Sequence, residues 1–218
     1  MATQERAVRT RRALIRAAAE VFASEGYVPA SLPVISDRAG VSRGALHFHF
    51  KSKDDLARAV EEEAAHALDQ IIADARDGPP RPGLQMLAVA AGNLAAVMEG
   101  DVVIRAGFQM DGDITRKGGG ALSRRWQDWV GETLRRAERE GELADGVSWR
   151  AMEATVLAST VGLQALAARN ADWRPAERVS QIWGLLLLVG SNRHAPGSGP
   201  DGLAGTCPQG HRPDPTVN

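Results

Sequence analysis

A short run of small and donor-rich residues near the N-terminus is the part of the sequence best suited to chemistry. The run is Ser42-Arg43-Gly44-Ala45. The guanidinium of Arg43 can donate two parallel hydrogen bonds to O6 and N7 of a guanine. Gly44 and Ala45 let a backbone approach a duplex closely, and His47 adds a donor for a base edge or a phosphate. The pattern predicts readout of DNA bases, with Arg43 as the first candidate.

Further basic and polar residues flank this run on both sides and are suited to holding phosphates. Contacts of this kind position a protein on DNA without reading its sequence. A solvated basic arm would show the same residues, so each one taken singly has a bland alternative. The set comprises His49, Lys51 and Lys53 after the run and Arg9, Thr10, Arg11 and Arg12 before it, at the head of the first predicted helix.

Serine caps place the run on the second helix of a helix-turn-helix. Apolar residues recur at three- and four-residue spacing over residues 6–24, which predicts a first helix. Ser31 then precedes a short helix that ends at Gly40, and Ser42 precedes another over residues 43–50. The N-terminal residues of the later helix in such a pair enter the major groove.

The rings within this helix have structural alternatives to a direct role. We expect Phe48 and Phe50 to fill the core rather than to stack on bases. No cysteine or carboxylate stands at ligand spacing from His47, His49 or His66, so no metal site is predicted.

Composition and charge set the broad class. The apolar residues are mostly Ala, Leu and Val and aromatic residues make up 5%, which predicts an all-α protein. Residues 1–60 hold ten Lys and Arg against six Asp and Glu, so the basic charge lies at the front of a chain with net charge -1. Cys207 has no partner for a disulfide, and no apolar block is long enough to cross a bilayer. A cytoplasmic protein without membrane contact is expected.

The N-terminal segment resembles the DNA-binding domain of the TetR family. The resemblance covers the run TRRALIRAAAEVFASEGYVPASLPVISDRAGVSRGALHFHFKSKDDLARAV, including Gly26-Tyr27 and the turn Ala39-Gly40-Val41. It implies a dimer that binds double-stranded operator DNA, with phosphate clamps at His49, Lys51 and Lys53. His47 stands where most of the family has tyrosine.

The remainder of the chain divides into a larger helical unit and a tail. We predict a DNA-binding domain over residues 1–53, a helical ligand-binding and dimerisation domain over 54–190, and a disordered tail over 191–218 rich in Pro and Gly. A long helix from Leu56 connects the first two domains. Within the second, helices are predicted over residues 84–98, 102–110, 121–140, 149–168 and 175–189.

The larger unit resembles the regulatory half of the γ-butyrolactone receptors of actinobacteria. The matching segments are Val103-Ile-Arg-Ala-Gly107, a helix from Trp126 that leads to Gly141-Glu142-Leu143, Val161-Gly-Leu-Gln164 and Gln181-Ile-Trp183. In those receptors a tryptophan on the equivalent helix lies over the bound lactone, which implies that role for Trp126.

Other residues are candidates for the same pocket, with ordinary core packing as the alternative for the apolar ones. Thr160 and Gln164 could supply the few polar groups that orient a ligand. The apolar candidates are Phe108, Trp129 and Leu163. The lactone receptors usually carry a Pro-Tyr or Pro-Phe pair before the tryptophan, whereas this chain reads Ala121-Leu-Ser-Arg-Arg125. This departure favours a pseudo-receptor whose ligand is an antibiotic or a biosynthetic intermediate.

The last two predicted helices supply a dimer interface. Small residues on helix 149–168 permit close approach, and an apolar stripe of Val179, Ile182, Trp183, Leu186 and Leu187 follows on the next helix. The whole pattern predicts a homodimeric repressor that a small-molecule effector releases from a palindromic operator.

The sequence leaves two other classes of function open. One is a lactone- or ester-acting enzyme using Asp111, Asp113 or His211, and the other is a helical adaptor that binds protein. The sequence lacks a nucleophile elbow, a phosphate loop with lysine and a paired metal motif, so no catalytic residue and no cofactor is predicted.

Overall fold

The chain forms helices wherever the structure describes a long regular element. The structure is a computed structural model that describes residues 2–113, 119–167 and 175–192. In those ranges the all-α prediction is confirmed. The helices are α1 (Ala2–Glu25), α2 (Leu32–Arg38), α3 (Arg43–His49), α4 (Lys53–Asp77), α5 (Gly83–Gly100), α6 (Val102–Asp111), α7 (Ala121–Arg139), α8 (Trp149–Ala167) and α9 (Pro175–Gly190).

The helix-turn-helix forms at the predicted caps. The hydroxyl of Ser42 accepts a hydrogen bond from the Ala45 N–H at 3.2 Å, and that of Ser52 accepts one from the Asp55 N–H at 3.1 Å. Ser31 occupies the cap position of α2 but makes no side-chain cap bond. Gly40, at a φ of 66°, supplies the left-handed residue in the turn between α2 and α3.

The N-terminal core extends further along the chain than predicted. It joins α1, α2 and α3 to Leu56 and Val60 of α4 and to Ala106 and Met110 of α6. The first two turns of α4 therefore complete the N-terminal core, and the domain boundary after residue 53 stays a prediction. The physical reason for this contribution is that α1 and two helices of seven residues enclose too little apolar surface to form a core without α4.

The C-terminal core gathers the second half of α4 with α5, α7, α8 and α9. α5 and α6 meet at a bend of 110°. Asp101 caps α6 at this corner by accepting a hydrogen bond from the Val103 N–H at 2.7 Å. Among the described residues, no single helix is long and apolar enough to cross a bilayer, while α5 and α6 together pass that test of length and composition only as a bent pair.

The chain beyond α9 begins with two residues that hydrogen bond to the loop after α7. Ser191 pairs with Leu143 in an isolated antiparallel bridge, and the Asn192 N–H donates to the Glu142 carbonyl at 2.7 Å. These two residues, which the sequence assigned to the tail, are therefore tied to the helical domain. The disorder predicted for residues 193–218 falls outside the described ranges.

Glu142 joins three parts of the chain at this end of the molecule. Its backbone carbonyl accepts from Asn192, and its side chain accepts a hydrogen bond from the Gly83 N–H at 2.5 Å, at the start of α5. Burial raises the pKa of Glu142 above its ordinary value of 4.5, and the neighbouring Glu140 carboxylate adds to the shift. The folded protein therefore holds this proton more tightly than the unfolded chain does.

We expect Glu142→Gln to raise the melting temperature at pH 7. A group with a raised folded pKa contributes its full stability below the ordinary value and loses it as pH rises through the folded pKa. Glutamine keeps an oxygen for the Gly83 N–H but carries no charge, so the gain over wild type should vanish below about pH 4. Thermal melts across this pH range, with the exposed Glu63→Gln on α4 as control, test this. A lower melting temperature for Glu142→Gln at pH 7 would contradict it.

Candidate functional site

α3 presents a polar, donor-bearing face to solvent. Leu46 and Phe50 anchor the helix region in the N-terminal core, with 1% and 4% of their surfaces exposed. The opposite side exposes Ser42, Arg43 and Gly44, together with residues one turn later. The residues predicted to read bases thus share one accessible surface. The N-terminus of α3, capped by Ser42, lies on this surface.

Phe48 departs from the sequence prediction. Phe50 fills the core as expected, whereas Phe48 has 82% of its surface exposed and meets the His49 ring edge-on at 5.2 Å. Leu46 and Phe50 lie four residues apart, so they share the buried side of α3. Phe48 lies halfway between them in sequence and on the other side of the helix. This spacing was the available signal, and the aromatic residue type obscured it.

The basic residues at the head of α1 lie at the surface beside α3. Arg9 and Arg12 are exposed, and Thr10 is half-buried. The Arg11 guanidinium lies over the Phe50 ring at 5.3 Å from its centroid, which ties α1 to the end of α3. The arrangement brings the arginines and the recognition surface onto one end of the molecule.

Lys53 holds backbone carbonyls instead of facing solvent. Its Nζ donates to the carbonyls of Tyr27, Val28 and Ala30 at 2.9, 3.0 and 2.9 Å. The ammonium also lies 4.5 Å from the Tyr27 ring centroid. An ammonium has three protons, and these three bonds use them all. Lys53 therefore ties the α1–α2 loop to the start of α4, and its phosphate contact stays a prediction. Lys51 is exposed.

α6 contributes side chains to both cores. Ala106 and Met110 belong to the N-terminal core, and Ile104 and Phe108 belong to the C-terminal one. The two sets alternate along one short helix, so α6 lies between the N-terminal and C-terminal cores. Phe108, a predicted ligand residue, is thus a buried part of this connection.

Gly107 allows α6 to lie directly against α4. A Cβ atom at this glycine would stand 2.4 Å from the Ala64 Cβ and 3.3 Å from the Val60 carbonyl oxygen. The first distance is well inside van der Waals contact, and the atoms it meets belong to a helix and cannot rotate away. α6 and α4 therefore have a fixed, backbone-close contact at this point.

Two buried tryptophans on α7 form the centre of the candidate ligand site. The rings of Trp126 and Trp129 lie 5.2 Å apart at 45°, with 3% and 4% of their surfaces exposed. The Trp126 indole Nε1 is buried, and no acceptor lies within hydrogen-bonding distance of it among the described residues. An unpaired buried donor costs about 1–3 kcal/mol, so this nitrogen is a poor choice for plain packing.

The remaining predicted pocket residues differ in burial and in their hydrogen-bond partners. Leu163 is buried in the same core as Phe108, Trp126 and Trp129. The Thr160 hydroxyl donates to the Val156 carbonyl of its own helix at 2.9 Å, so its proton is already used. The Gln164 amide faces the Met98 sulfur at 3.9 Å, a weak partner that a better acceptor could replace.

An open groove between α4 and α7, lined mostly by charged side chains, reaches Trp129. It has a volume of about 610 Å³, within the range of small-molecule sites, and Trp129 and Ile72 form its apolar part. Two ion pairs cross between the helices at the groove. Arg125 meets Asp69 at 2.6 Å, and Arg76 meets Glu132 at 3.3 Å.

Asp111 links the end of α6 to the start of α7. Its carboxylate is 6% exposed and accepts from the Leu122 N–H at 3.0 Å, the Ser123 N–H at 2.8 Å and the Ser123 hydroxyl at 2.6 Å. These groups need acceptors at a helix N-terminus. The carboxylate of Asp111 is therefore occupied by hydrogen bonds to the start of α7. It is not available as the acid or base that the enzymatic alternative requires.

The rest of that alternative finds no further support. His211 lies outside the described residues. Within residues 2–113, 119–167 and 175–192, no group of three or more His, Cys, Asp or Glu side chains could hold a metal ion.

The exposed apolar face of the last two helices differs from the predicted one. On α8, Ala154, Ala158 and Ala165 are exposed as the small-residue pattern suggested. On α9 the stripe of Val179, Ile182, Trp183, Leu186 and Leu187 packs into the C-terminal core instead. The exposed side carries Leu185, Leu188 and Val189. α9 has two apolar sides, and the bulkier one with Trp183 packs inward.

Comparison with known proteins agrees with this architecture. A family profile described as "Bacterial regulatory proteins, tetR family" matches residues 14–60. The chain is 31% identical over 193 residues to the A-factor receptor protein of Streptomyces griseus, covering 86% of this chain and 66% of that protein. It is 30% identical over 196 residues to the transcriptional repressor BepR of Brucella suis, covering 86% and 80% of the two chains. The chain belongs to the TetR family.

A solved structure places this TetR-family chain more closely. A γ-butyrolactone receptor, an ArpA-like protein, superposes with a TM-score of 0.74 at 26% identity, covering 85% of this chain and 90% of that one. Together with the A-factor receptor match, this shows that the chain is similar to γ-butyrolactone receptors in both sequence and fold. It is a transcriptional regulator with the predicted N-terminal helix-turn-helix and a larger C-terminal helical domain.

Lys53 and Lys51 give a matched pair of lysines with different roles. We expect Lys53→Met to lower the free energy of unfolding by about 1–3 kcal/mol, because three loop carbonyls lose their donor. Lys51→Met should leave stability unchanged and reduce the salt dependence of DNA binding by about one charge unit. Denaturant titrations and operator affinities at several salt concentrations check both variants. If Lys53→Met keeps normal stability but its DNA affinity depends less on salt concentration, Lys53 contacts a phosphate after all.

Proposed function

We propose that this protein is a homodimeric repressor that a small-molecule effector releases from a palindromic operator. The observation that carries the proposal is the position of α6, which supplies side chains to both the N-terminal and the C-terminal core. A change in the C-terminal core that moves α6 must also move the helix-turn-helix. The proposed site of action is the bacterial cytoplasm, where the operator is.

The proposed DNA contacts divide into reading and positioning. Arg43 reads a guanine with its guanidinium, and Ser42, Gly44, Ala45 and His47 line the same approach to the groove. The phosphate contacts come from exposed or half-exposed residues around α3 and at the head of α1. They are Arg9, Thr10, Arg12, His49 and Lys51.

Dimerisation is proposed through the exposed faces of α8 and α9. Leu185, Leu188 and Val189 are each at least 60% exposed, and Val161 of α8 is 63% exposed. Monomeric proteins seldom expose apolar side chains in such a contiguous set. Two copies of this face form a four-helix interface with twofold symmetry, and a palindromic operator requires that symmetry.

We place the effector against the rings of Trp126 and Trp129. It enters this site through the groove between α4 and α7. The Trp126 indole N–H offers a donor, so the ligand should carry a buried carbonyl or ether oxygen on an apolar frame. A butyrolactone-like signal, an antibiotic and a biosynthetic intermediate all fit this description. Gln164 is a second polar group that could turn towards a ligand.

Release follows from the ties between α7 and its neighbours. Asp111 joins α7 to α6, and the ion pairs from Arg125 and Arg76 join α7 and α4. A ligand that displaces α7 at the tryptophans therefore pulls on both helices that support the N-terminal core. A coupling of about 1–3 kcal/mol would change operator affinity by roughly 5- to 150-fold, which is enough for regulation.

We expect Arg43→Ala to cost about 1–3 kcal/mol of operator binding and to relax the preference at one base pair of each half-site. The measurement is fluorescence anisotropy on DNA upstream of the protein's own gene and on variants of each operator position. Arg58→Ala, an exposed residue paired with Asp55 on α4, is the control. An unchanged base preference in Arg43→Ala would exclude direct readout by this residue.

Trp126→Phe separates ligand binding from core packing. The change keeps an aromatic ring and removes the unpaired N–H, so stability and operator affinity should stay near wild type while effector-induced release weakens by about tenfold. A lost hydrogen bond of roughly 1.4 kcal/mol corresponds to this factor. The assay titrates synthetic γ-butyrolactones and culture extracts into the protein–operator complex, with Trp183→Phe, at a buried tryptophan of α9, as the matched control.

The outcome distinguishes the two roles of Trp126. Unaltered release by the Trp126→Phe protein would move the ligand donor elsewhere, with Gln164 next in line. If the wild-type protein binds no DNA upstream of its own gene, the proposal that it is a repressor is wrong.

A further inference from the structure

Phe48 is a large apolar side chain displayed on the surface that the proposed function assigns to DNA. It is 82% exposed, the largest fraction among the described large hydrophobic residues. It lies on α3 between His47 and His49, in the helix whose N-terminus carries Arg43. Its ring meets the His49 ring edge-on, with the ring centroids 5.2 Å apart.

The space beside this ring is open. Gly44 lies four residues before Phe48 and therefore on the same side of α3. A Cβ atom at Gly44 would meet only the Ser42 hydroxyl, at 3.9 Å. Gly44 and Phe48 thus form a step on the recognition surface, with a bare backbone at the N-terminal end and an aromatic ring one turn later.

The surroundings of Phe48 separate it from the exposed apolar side chains that are proposed to form the dimer. Those side chains belong to α8 and α9, in the C-terminal half of the chain, and they are joined there by small residues. Phe48 is instead flanked by exposed Arg43 and His47. An apolar ring among donors suits a surface that is polar and negatively charged but carries an isolated apolar group.

The DNA major groove provides such a surface. Among the four bases only thymine displays a methyl group there, at C5, while the other edges display donors and acceptors. Gly44 and Phe48 are separated by about 6 Å along the helix, since each residue rises 1.5 Å. This distance is less than two base-pair steps of about 3.4 Å, so Phe48 reaches a base pair close to the one that faces the N-terminus of α3.

We propose that the Phe48 ring contacts the C5-methyl group of a thymine in each operator half-site and so helps to determine the sequence bound. The inference rests on the proposed function, because it needs α3 to lie in the major groove. It adds a residue that reads the operator by apolar contact to the hydrogen-bond readout assigned to Arg43.

The test replaces single methyl groups in the DNA. Wild-type protein first selects a binding duplex from a random-sequence pool. Each thymine of that duplex is then replaced in turn by uracil, which lacks only the C5-methyl group. Affinities for the thymine and uracil duplexes are measured for wild type, Phe48→Ala, Phe48→Leu and His47→Ala.

We expect one symmetric thymine position at which uracil weakens wild-type binding by about fourfold per half-site, the effect of burying one methyl group. Phe48→Ala should bind the thymine and uracil duplexes equally at that position. Phe48→Leu should keep part of the difference, and His47→Ala should keep all of it although its overall affinity falls. Melting temperatures should match wild type for both Phe48 variants, because the ring is exposed.

Two results would overturn the inference. Wild-type protein could bind all uracil duplexes as tightly as the parent, or Phe48→Ala could retain the full sensitivity to uracil. In either case the repressor would still bind its selected DNA. Failure of the wild-type protein to select any sequence is a different result, since it would remove the operator-binding function together with this contact.

Discussion

The close contact of α6 with α4 is the constraint on which the regulatory design depends. At Gly107 the helices approach so closely that Ala64 leaves no room for a side chain. On either side of this point α6 alternates between the two cores, with Ala106 and Met110 in one and Ile104 and Phe108 in the other. Packed interiors resist continuous deformation, so such a helix has a small number of allowed positions rather than a range.

The polar ties around α7 complement this packing. Asp111, at the end of α6, accepts hydrogen bonds from two of the first amides of α7, and two ion pairs join α7 to the C-terminal half of α4. The ion pairs are solvent-exposed and contribute little to stability individually. Their role is to couple the movement of two helices, because they connect α7, which carries Trp126, to α4, which extends into the N-terminal core. Hydrophobic contact sets the rest position, and the polar contacts determine which helices move together.

Much of the fold could be predicted from sequence because its signals are local. The caps at Ser42 and Ser52 and the apolar periodicity of α1 and α4 place the helix-turn-helix. The long-range assignments fared less well. Lys53 matches a phosphate-binding position in its family, yet the loop carbonyls that capture it are 23 to 26 residues away in sequence.

Similar reasons explain the errors at Phe48 and α9. Both segments hold more apolar residues than one buried side can take, and the sequence does not say which side turns inward. Residue size and the spacing of the neighbours decide this: Leu46 and Phe50 fill the core side of α3, and Trp183 that of α9. The ligand site illustrates the same limit, since only the packed structure reveals that the Trp126 nitrogen has no acceptor among the described residues.

The absent side chain at residue 107 also bears on how such a regulator can change over generations. Glycine and alanine codons differ by one nucleotide, and the added methyl group would sit 2.4 Å from Ala64 in the present packing. Relief of that overlap requires α6 to move away from α4, and such a move would displace the N-terminal core that both helices support. A single nucleotide change could thus act as an inherited inducer, switching the target genes on permanently without any signal molecule.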